Sequence, residues 1–324
     1  MQVFRSLADV PPDFGPSVVT IGNFDGVHLG HMQVLDTIRA QAESRGVKSV
    51  VVTFDPHPAV VHRPDAAPGL IMGTEDKVEA LRGLGFDATL VMNYTLELAG
   101  QSAEEFVKSV FVDVLRACCV VVGHDVRWGK DNSGDISTMK ELGATYGFDV
   151  IEVAEFGEER RNSSTWIREA LEAGDVRTAQ RILGRPHRMR GQVVHGAARG
   201  RELGFPTANL APESTGLIPA DGVYAGWLIE EDGTRWPAAI SVGSNPTFEG
   251  VPRQVEAHVI DRPEEAVEDF DLYGKHVVVE FVERLRGMVA FTGIENLIFQ
   301  MRQDVTHARE ILATCGYQPG PSPS

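Results

Sequence analysis

Two histidines stand three residues apart in the stretch Gly22-Asn-Phe-Asp-Gly-Val-His-Leu-Gly-His31, directly after the apolar run Ser-Val-Val-Thr-Ile21. A strand leaving a hydrophobic core has no use for imidazoles at its exit, whereas a phosphate-handling site does. Gly22 lets the backbone come close to a ligand and Gly26 permits a sharp turn. On a helix, a spacing of three puts His28 and His31 on one face. The free amides and the dipole of a helix start favour anions there. Imidazole donors suit a phosphate whose charge redistributes during transfer, a reaction carried mostly by positioning and electrostatics. A metal pair is the weaker reading, because no cysteine lies nearby to complete a site. Ser163-Ser-Thr-Trp-Ile-Arg168 adds hydroxyls at a helix start and an arginine in its first turns. Read alone, it is also an ordinary capped helix.

A second group lies further along. From Gly191 to Leu210 the chain combines glycines, arginines and Pro206-Thr-Ala-Asn209. Gly191 and Gly204 allow close approach to phosphates. Thr207 and Asn209 offer neutral oxygen ligands two residues apart, which suits Mg²⁺ shared with substrate phosphates. In Gln-Val-Glu-Ala-His-Val-Ile260, strand alternation puts Glu256 and His258 on one face. A carboxylate facing a cleft can take a proton from a hydroxyl nucleophile. A glutamate on a solvated sheet face has the same spacing.

The elements that must hold these residues follow from the apolar pattern. Short apolar runs at 17–21, 49–54, 88–92, 118–122 and 149–153 alternate with helical periodicities. Val34, Leu35, Ile38 and Ala42 mark one helix, with Gly46 as its stop. Thr74 caps another, Ser102 and Glu105 form a capping box opening a helix through Leu115, and Asp135 caps a helix to Tyr146. Continuous apolar strands interleaved with helices predict a parallel sheet covered on both faces. In such sheets ligands bind beyond the carboxyl ends of the strands. The histidine motif, Pro56-His57-Pro58 and the run from Gly123 to Gly129 all fall at that edge.

Two short helices, 164–173 and 175–183, precede a change of pattern near Gly184. Strands then dominate, with a hairpin of 222–229 and 235–242 around Gly233. This half predicts a small antiparallel barrel or sandwich. A terminal helix carries Ile294, Leu297, Ile298, Met301, Val305, Ala308 and Leu312 on one face.

The chain has 324 residues, 43% apolar and 23% charged, with a formal net charge of −16. Two domains are expected at this length. The acidic balance argues against a broad nucleic-acid groove or a basic membrane face, but not against a local anion pocket. No membrane-spanning run and no secretory leader are read. Three cysteines read as buried, reduced thiols, which points to a cytoplasmic protein.

The histidine motif with Ser164-Thr165-Trp-Ile-Arg168 resembles the nucleotidylyltransferase signatures of bacterial bifunctional riboflavin kinase/FAD synthetases. Phe54-Asp-Pro-His-Pro58 and the run 123–135 fall where that family has its intervening motifs. The second half resembles the family's riboflavin kinase domain, through the motifs at 200–210, 218–227, 241–248, 255–261, 271–281 and 284–291 in the family's order. The resemblance covers about Val18 to Tyr317.

It implies a Rossmann-like FMN adenylyltransferase domain over 1–184, an antiparallel β-barrel riboflavin kinase domain with a terminal helix over 185–317, and a disordered tail over 318–324. It implies phosphorylation of riboflavin to FMN by ATP with Mg²⁺, then adenylylation of FMN to FAD with release of pyrophosphate. His28 and His31 would contact the ATP phosphates, as would Ser164, Thr165 and Arg168, and Gly22, Asn23 and Phe24 would cradle the nucleotide. Pro56, His57, Pro58, Asp125, Arg127 and Trp128 would shape the flavin side. In the kinase half, Thr207 and Asn209 would bind Mg²⁺ and phosphate, and Glu256 would be the general base. Tyr224, Asn245 and Arg286 would line the nucleotide and flavin sites. The family's third motif usually has Phe-Arg-Phe-Gly after an asparagine. Here it reads Asp125-Val-Arg-Trp-Gly129, which puts a negative charge near phosphates. Small molecules are the expected partners, and a homo-oligomer is left open. The rival readings are a riboflavin kinase without FAD synthesis, a flavin carrier or sensor without turnover, and a transferase for another nucleotide or acceptor.

Overall fold

The computed structural model describes residues 1–153, 162–196, 205–243, 253–261, 272–289, 291 and 293–315. The chain divides into two units. One holds Met1–Pro68 with Thr74–Ser163, and the other Gly69–Gly73 with Ser164–Ser324.

The first unit is a six-stranded parallel sheet. Its strands are β1 (Gln2–Phe4), β2 (Ser17–Ile21), β3 (Lys48–Asp55), β4 (Ala88–Asn93), β5 (Ala117–Gly123) and β6 (Asp149–Val153), in spatial order β1-β4-β3-β2-β5-β6. All five residues of β2 are buried, as a strand covered on both faces requires. From β2 the chain builds outward through β3 and β4, then returns to the other side of β2 for β5 and β6. The strand order therefore reverses between β2 and β5, and it is beyond the carboxyl ends at such a switch point that ligands of open α/β sheets bind.

Helix α1 (Leu29–Arg45) buries Leu35, Ile38 and Ala42 and stops at Gly46, whose φ is +65°. Helices α2 (Pro58–His62) and α3 (Thr74–Gly83) follow β3. After the short α4 (Leu96–Ala99), the Ser102–Glu105 capping box opens α5 (Ala103–Phe106) with both reciprocal bonds made. The sequence predicts an ordinary helix beyond it. Instead the backbone widens to a π-helix over Val107–Val114, where the Leu115 N–H reaches back five residues to the Val110 carbonyl. Asp135 caps α6 (Ile136–Tyr146) by accepting from the Thr138 N–H at 3.0 Å.

The second unit is a closed antiparallel barrel. Its strands are β7 (His187–Val194), β8 (Thr207–Leu210), β9 (Gly222–Glu230), β10 (Arg235–Gly243), β11 (Gln254–Val259) and β12 (His276–Arg286), in the circular order β10-β11-β8-β7-β12-β9. Between the two architectures that the alternation allowed, the barrel is the one formed. Helices α7 (Ser164–Glu172) and α8 (Val176–Leu183) belong to this unit. Ile167, Leu171, Ala179 and Ile182 are buried in one cluster with Val279 and Phe281 of β12. The last passage of the chain from one unit to the other therefore falls between Ser163 and Ser164, ahead of the change of sequence pattern at 184.

The terminal helix Ile294–Thr314 departs from its expected apolar stripe at two positions. Ile294 is exposed, and Asp304 is buried within the stripe. The Asp304 carboxylate accepts two bonds from the Arg286 guanidinium, Nη2 at 2.7 Å and Nε at 2.9 Å, and a third from Gln300.

His187 lies fully inside the barrel, with its Nε2–H donated to the Leu217 carbonyl at 2.7 Å. Burial pushes its pKa down from 6.5 to about 4. The unfolded chain therefore takes up this proton near pH 6.5 and the folded chain does not until about pH 4. Stability conferred by neutral His187 is complete above pH 6.5 and is lost as the pH falls towards 4. Urea unfolding at pH 5 should give a barrel stability about 2 kcal/mol below that at pH 7.5 from this group. In His187→Gln that share of the pH dependence should vanish.

Candidate active sites

At the exit of β2 the backbone is strained. Phe24, Gly26 and Val27 all have positive φ, at 48°, 87° and 40°. For the β-branched Val27 this is a rare conformation, of the kind that persists at functional sites. The turn closes with the Val27 N–H donated to the Phe24 carbonyl at 3.0 Å. His28 then stands at the N-cap of α1 and His31 one turn in.

The two imidazoles stack, with centroids 3.6 Å apart and 20° between planes. The His28 backbone N–H donates to His31 Nδ1 at 3.3 Å. A neutral His31 must then carry its proton on Nε2, which makes that edge a donor. The Phe24 ring meets His31 edge-on at 5.2 Å. Gly30, absent from the sequence-derived set, is required here. A Cβ would come within 2.4 Å of the Asn162 carbonyl and 3.0 Å of the His28 ring.

The exit of β3 carries Pro56, His57 and Pro58. His57 caps α2, its Nδ1 accepting from the Ala59 N–H at 3.1 Å. Beside it is an aromatic cluster that sequence reasoning missed. Phe54 and Tyr94 meet edge-on at 5.3 Å, and the Tyr94 hydroxyl lies 2.8 Å from His62 Nε2. Burial raises the Tyr94 pKa, so the phenol stays neutral. The available signal was an aromatic residue directly after a predicted strand, at the edge already identified.

At the exit of β5, His124 and Lys140 both pair with Glu152, at 2.6 and 2.8 Å. Asp125 and Arg127 are exposed on the following turn, and Arg127 Nη1 donates to the Val126 carbonyl. Trp128, expected to shape the flavin side, is buried. It is 5% exposed, its indole N–H is donated to the Ala103 carbonyl at 3.0 Å, and a Cβ on Gly134 would lie 2.6 Å from its ring. Ser164, Thr165 and Arg168 open α7 in the second unit, where Arg168 Nε donates to the Gly69 carbonyl at 2.8 Å.

In the barrel, β8 and β11 are paired so that Glu256 lies opposite Asn209 and His258 opposite Thr207. Ala208, Val255, Ala257 and Val259 turn inward to the core, so these four polar residues share the outer face. Asn209 is nevertheless 7% exposed, because the backbone of Gly196 approaches its amide. A Cβ at Gly196 would lie 2.5 Å from it. Asn209 Nδ2 reaches the Thr207 carbonyl at 3.3 Å. His258 Nδ1 donates to the Pro206 carbonyl at 2.9 Å, and burial lowers the His258 pKa.

Three expected members of this site are engaged in contacts within the barrel unit. Tyr224 is fully buried in the barrel core, its hydroxyl donated to the Ala220 carbonyl and its ring edge-on to Phe281. Gly191 sits in β7 beneath the Ser214 side chain. Arg286 is held by Asp304. Gly204 and Asn245 lie outside the described residues. Among the described residues, no group of three or more His, Cys, Asp or Glu is placed to hold a metal ion.

Two family models match the chain: FAD synthetase over residues 11–166 and riboflavin kinase over 183–312. A Pseudomonas fluorescens protein named bifunctional riboflavin kinase/FMN adenylyltransferase is 36% identical, over 98% of this chain and all of its own length. A Bacillus subtilis protein of the same name is 35% identical, over 90% of this chain and 91% of its own. The chain belongs to the bifunctional riboflavin kinase/FMN adenylyltransferase family. A crystal structure titled macrolide-efflux protein, from Streptococcus pneumoniae, has the same fold. Its TM-score is 0.82 at 30% identity, over 95% of this chain and 98% of that one. Among the described residues, no helix is long and apolar enough to cross a membrane. The family's two activities fall on the two architectures, with the FAD synthetase match over the parallel sheet and the riboflavin kinase match over the barrel.

Proposed function

We propose that the chain makes FMN and FAD in succession, at one site in each unit. The observation that carries this reading is the pairing of one polar constellation in each unit with the two family matches. The stacked histidines stand at the sheet's switch point, and Glu256 faces Asn209 across β8 and β11.

In the barrel, Glu256 takes the proton of the riboflavin 5′-hydroxyl as its oxygen attacks the γ-phosphorus of ATP. The bond from that phosphorus to the β–γ bridging oxygen breaks, and ADP leaves with the electron pair. The oxygen-only donors of Thr207 and Asn209 fit Mg²⁺. When bound, the ion supplies charge neutralisation at the phosphates.

In the α/β unit, an FMN phosphate oxygen attacks the α-phosphorus of a second ATP. The bond to the α–β bridging oxygen breaks and pyrophosphate leaves. His28 and His31 donate to the triphosphate and stabilise the charge that develops on it. Gly22, Asn23 and Phe24 cradle the nucleotide. The exits of β3 and β5 provide the flavin side, with Pro56, His57, Pro58, Asp125 and Arg127. Tyr94, set edge-on to the buried Phe54, adds an aromatic ring beside them, and Trp128 packs in the core of the same unit. A supply of ATP at both steps supports a cytoplasmic location.

The carboxylate of Asp125 repels the triphosphate in this arrangement. Removing one like charge at partial screening is worth about 1 kcal/mol, or about fivefold in affinity. Asp125→Asn is therefore expected to lower the ATP KM of FAD formation about fivefold and leave the KM of FMN formation unchanged. Steady-state kinetics of each step, with riboflavin or FMN as the flavin, check this.

A further inference from the structure

Lys77, in the first turns of α3, is 5% exposed. An ammonium has three N–H donors. Here they meet the Asn23 carbonyl at 3.0 Å, the Thr53 hydroxyl at 3.1 Å and the Phe54 carbonyl at 3.2 Å. The Thr53 hydroxyl itself donates to the Asn23 carbonyl at 3.1 Å. One buried cation thus ties the exits of β2 and β3 at the sheet edge where the adenylyl-transfer residues gather. Burial lowers the Lys77 pKa, and the negative charges of Asp25 and Asp55 oppose that shift.

Stability does not account for a lysine at this position. Its helix neighbours Val78 and Leu81 are buried apolar residues, and burying an ion is seldom better than packing an apolar side chain of like volume. What an apolar residue could not do is hold the Asn23 carbonyl. The Asn23–Phe24 peptide is trans, so a carbonyl drawn towards Lys77 sends the Phe24 N–H the opposite way. No backbone carbonyl within the described residues takes that N–H. The ammonium behind the peptide also strengthens its N–H as a donor. The same peptide leads into the left-handed residues Phe24 and Val27, whose conformation needs a fixed anchor.

We propose that Lys77 is a positioning residue for adenylyl transfer: it orients the Asn23–Phe24 peptide so that the Phe24 amide is presented to the triphosphate. The proposal rests on the adenylyltransferase reading. Loss of the cation frees the peptide to rotate, and the donor is lost from the site.

The test uses the full chain, with FMN and ATP for FAD formation and riboflavin phosphorylation in the same samples as internal control. Lys77→Met should lose at least fiftyfold in kcat for FAD formation. Its KM for FMN should stay within about threefold, and riboflavin phosphorylation within twofold. Calorimetric titration with pyrophosphate and Mg²⁺ should show at least tenfold weaker binding. Lys77→Arg, which keeps the charge and donors, should recover a tenth or more of the rate. Thr53→Val should lose three- to tenfold.

A Lys77→Met protein that melts early, yet binds pyrophosphate normally in its folded fraction, would overturn the proposal in favour of a structural lysine. If Lys77→Met does not fold, Thr53→Val decides. A native melt with unchanged kcat and pyrophosphate affinity overturns the proposal, and the expected losses sustain it. A wild-type protein that makes no FAD would sink the adenylyltransferase reading itself. Wild-type FAD formation matched by Lys77→Met would sink this inference alone.

Discussion

His31→Ala is expected to abolish FAD formation while FMN formation continues at the wild-type rate. The imidazole stands one turn into α1, stacked on His28, with Nδ1 already engaged by a backbone N–H. Its Nε2–H is the donor that meets a phosphate in this reading. A preorganised donor aimed at developing charge is worth about 10²–10³ in kcat, and loss of that order is expected here. His28→Ala should behave alike, with some cost in stability, because His28 is 4% exposed. Chromatographic separation of flavins after incubation with FMN and ATP reads the first activity, and with riboflavin the second. An equal fall in both would contradict independent sites.

Glu256→Gln should do the reverse. The substitution keeps the shape of the side chain opposite Asn209 and removes its ability to accept a proton. Loss of a general base lowers the rate by about 10²–10⁴. FMN formation should fall by that factor, and FAD should still form when FMN is supplied. His258, on the same face, is the other candidate base. Its Nδ1–H is committed to the Pro206 carbonyl, and burial keeps the ring neutral. His258→Asn should therefore cost far less than Glu256→Gln. The opposite ranking would move the base to the histidine.

What could be read in advance follows from how local each signal is. Caps and stops were legible at Ser102, Asp135 and Gly46, since each acts on amides within a turn of itself. The parallel sheet was legible because the central strands β2, β3, β4 and β5, buried on both faces, carry no charged residue between their ends. The histidine pair was legible because a helix start and a spacing of three decide its geometry. Residues whose role depends on distant partners were not. Nothing near Lys77 in the chain reveals that its ammonium reaches β2 and β3. Asp304 breaks an apolar stripe only because Arg286, eighteen positions earlier, waits for it. Trp128 and Tyr224 fall inside functional motifs, yet their rings and polar tips are spent on packing. A motif fixes where a residue stands, and only the fold says which way its side chain is occupied.

One incubation addresses the central claim: purified protein with riboflavin, ATP and Mg²⁺, sampled over time and resolved by chromatography. Two sites working in succession predict that FMN rises first and FAD follows at its expense, with pyrophosphate released in step with FAD. FMN accumulating alone would contradict the second activity and leave a riboflavin kinase. Riboflavin returned unchanged by a folded protein that binds it would contradict both and make the chain a flavin carrier.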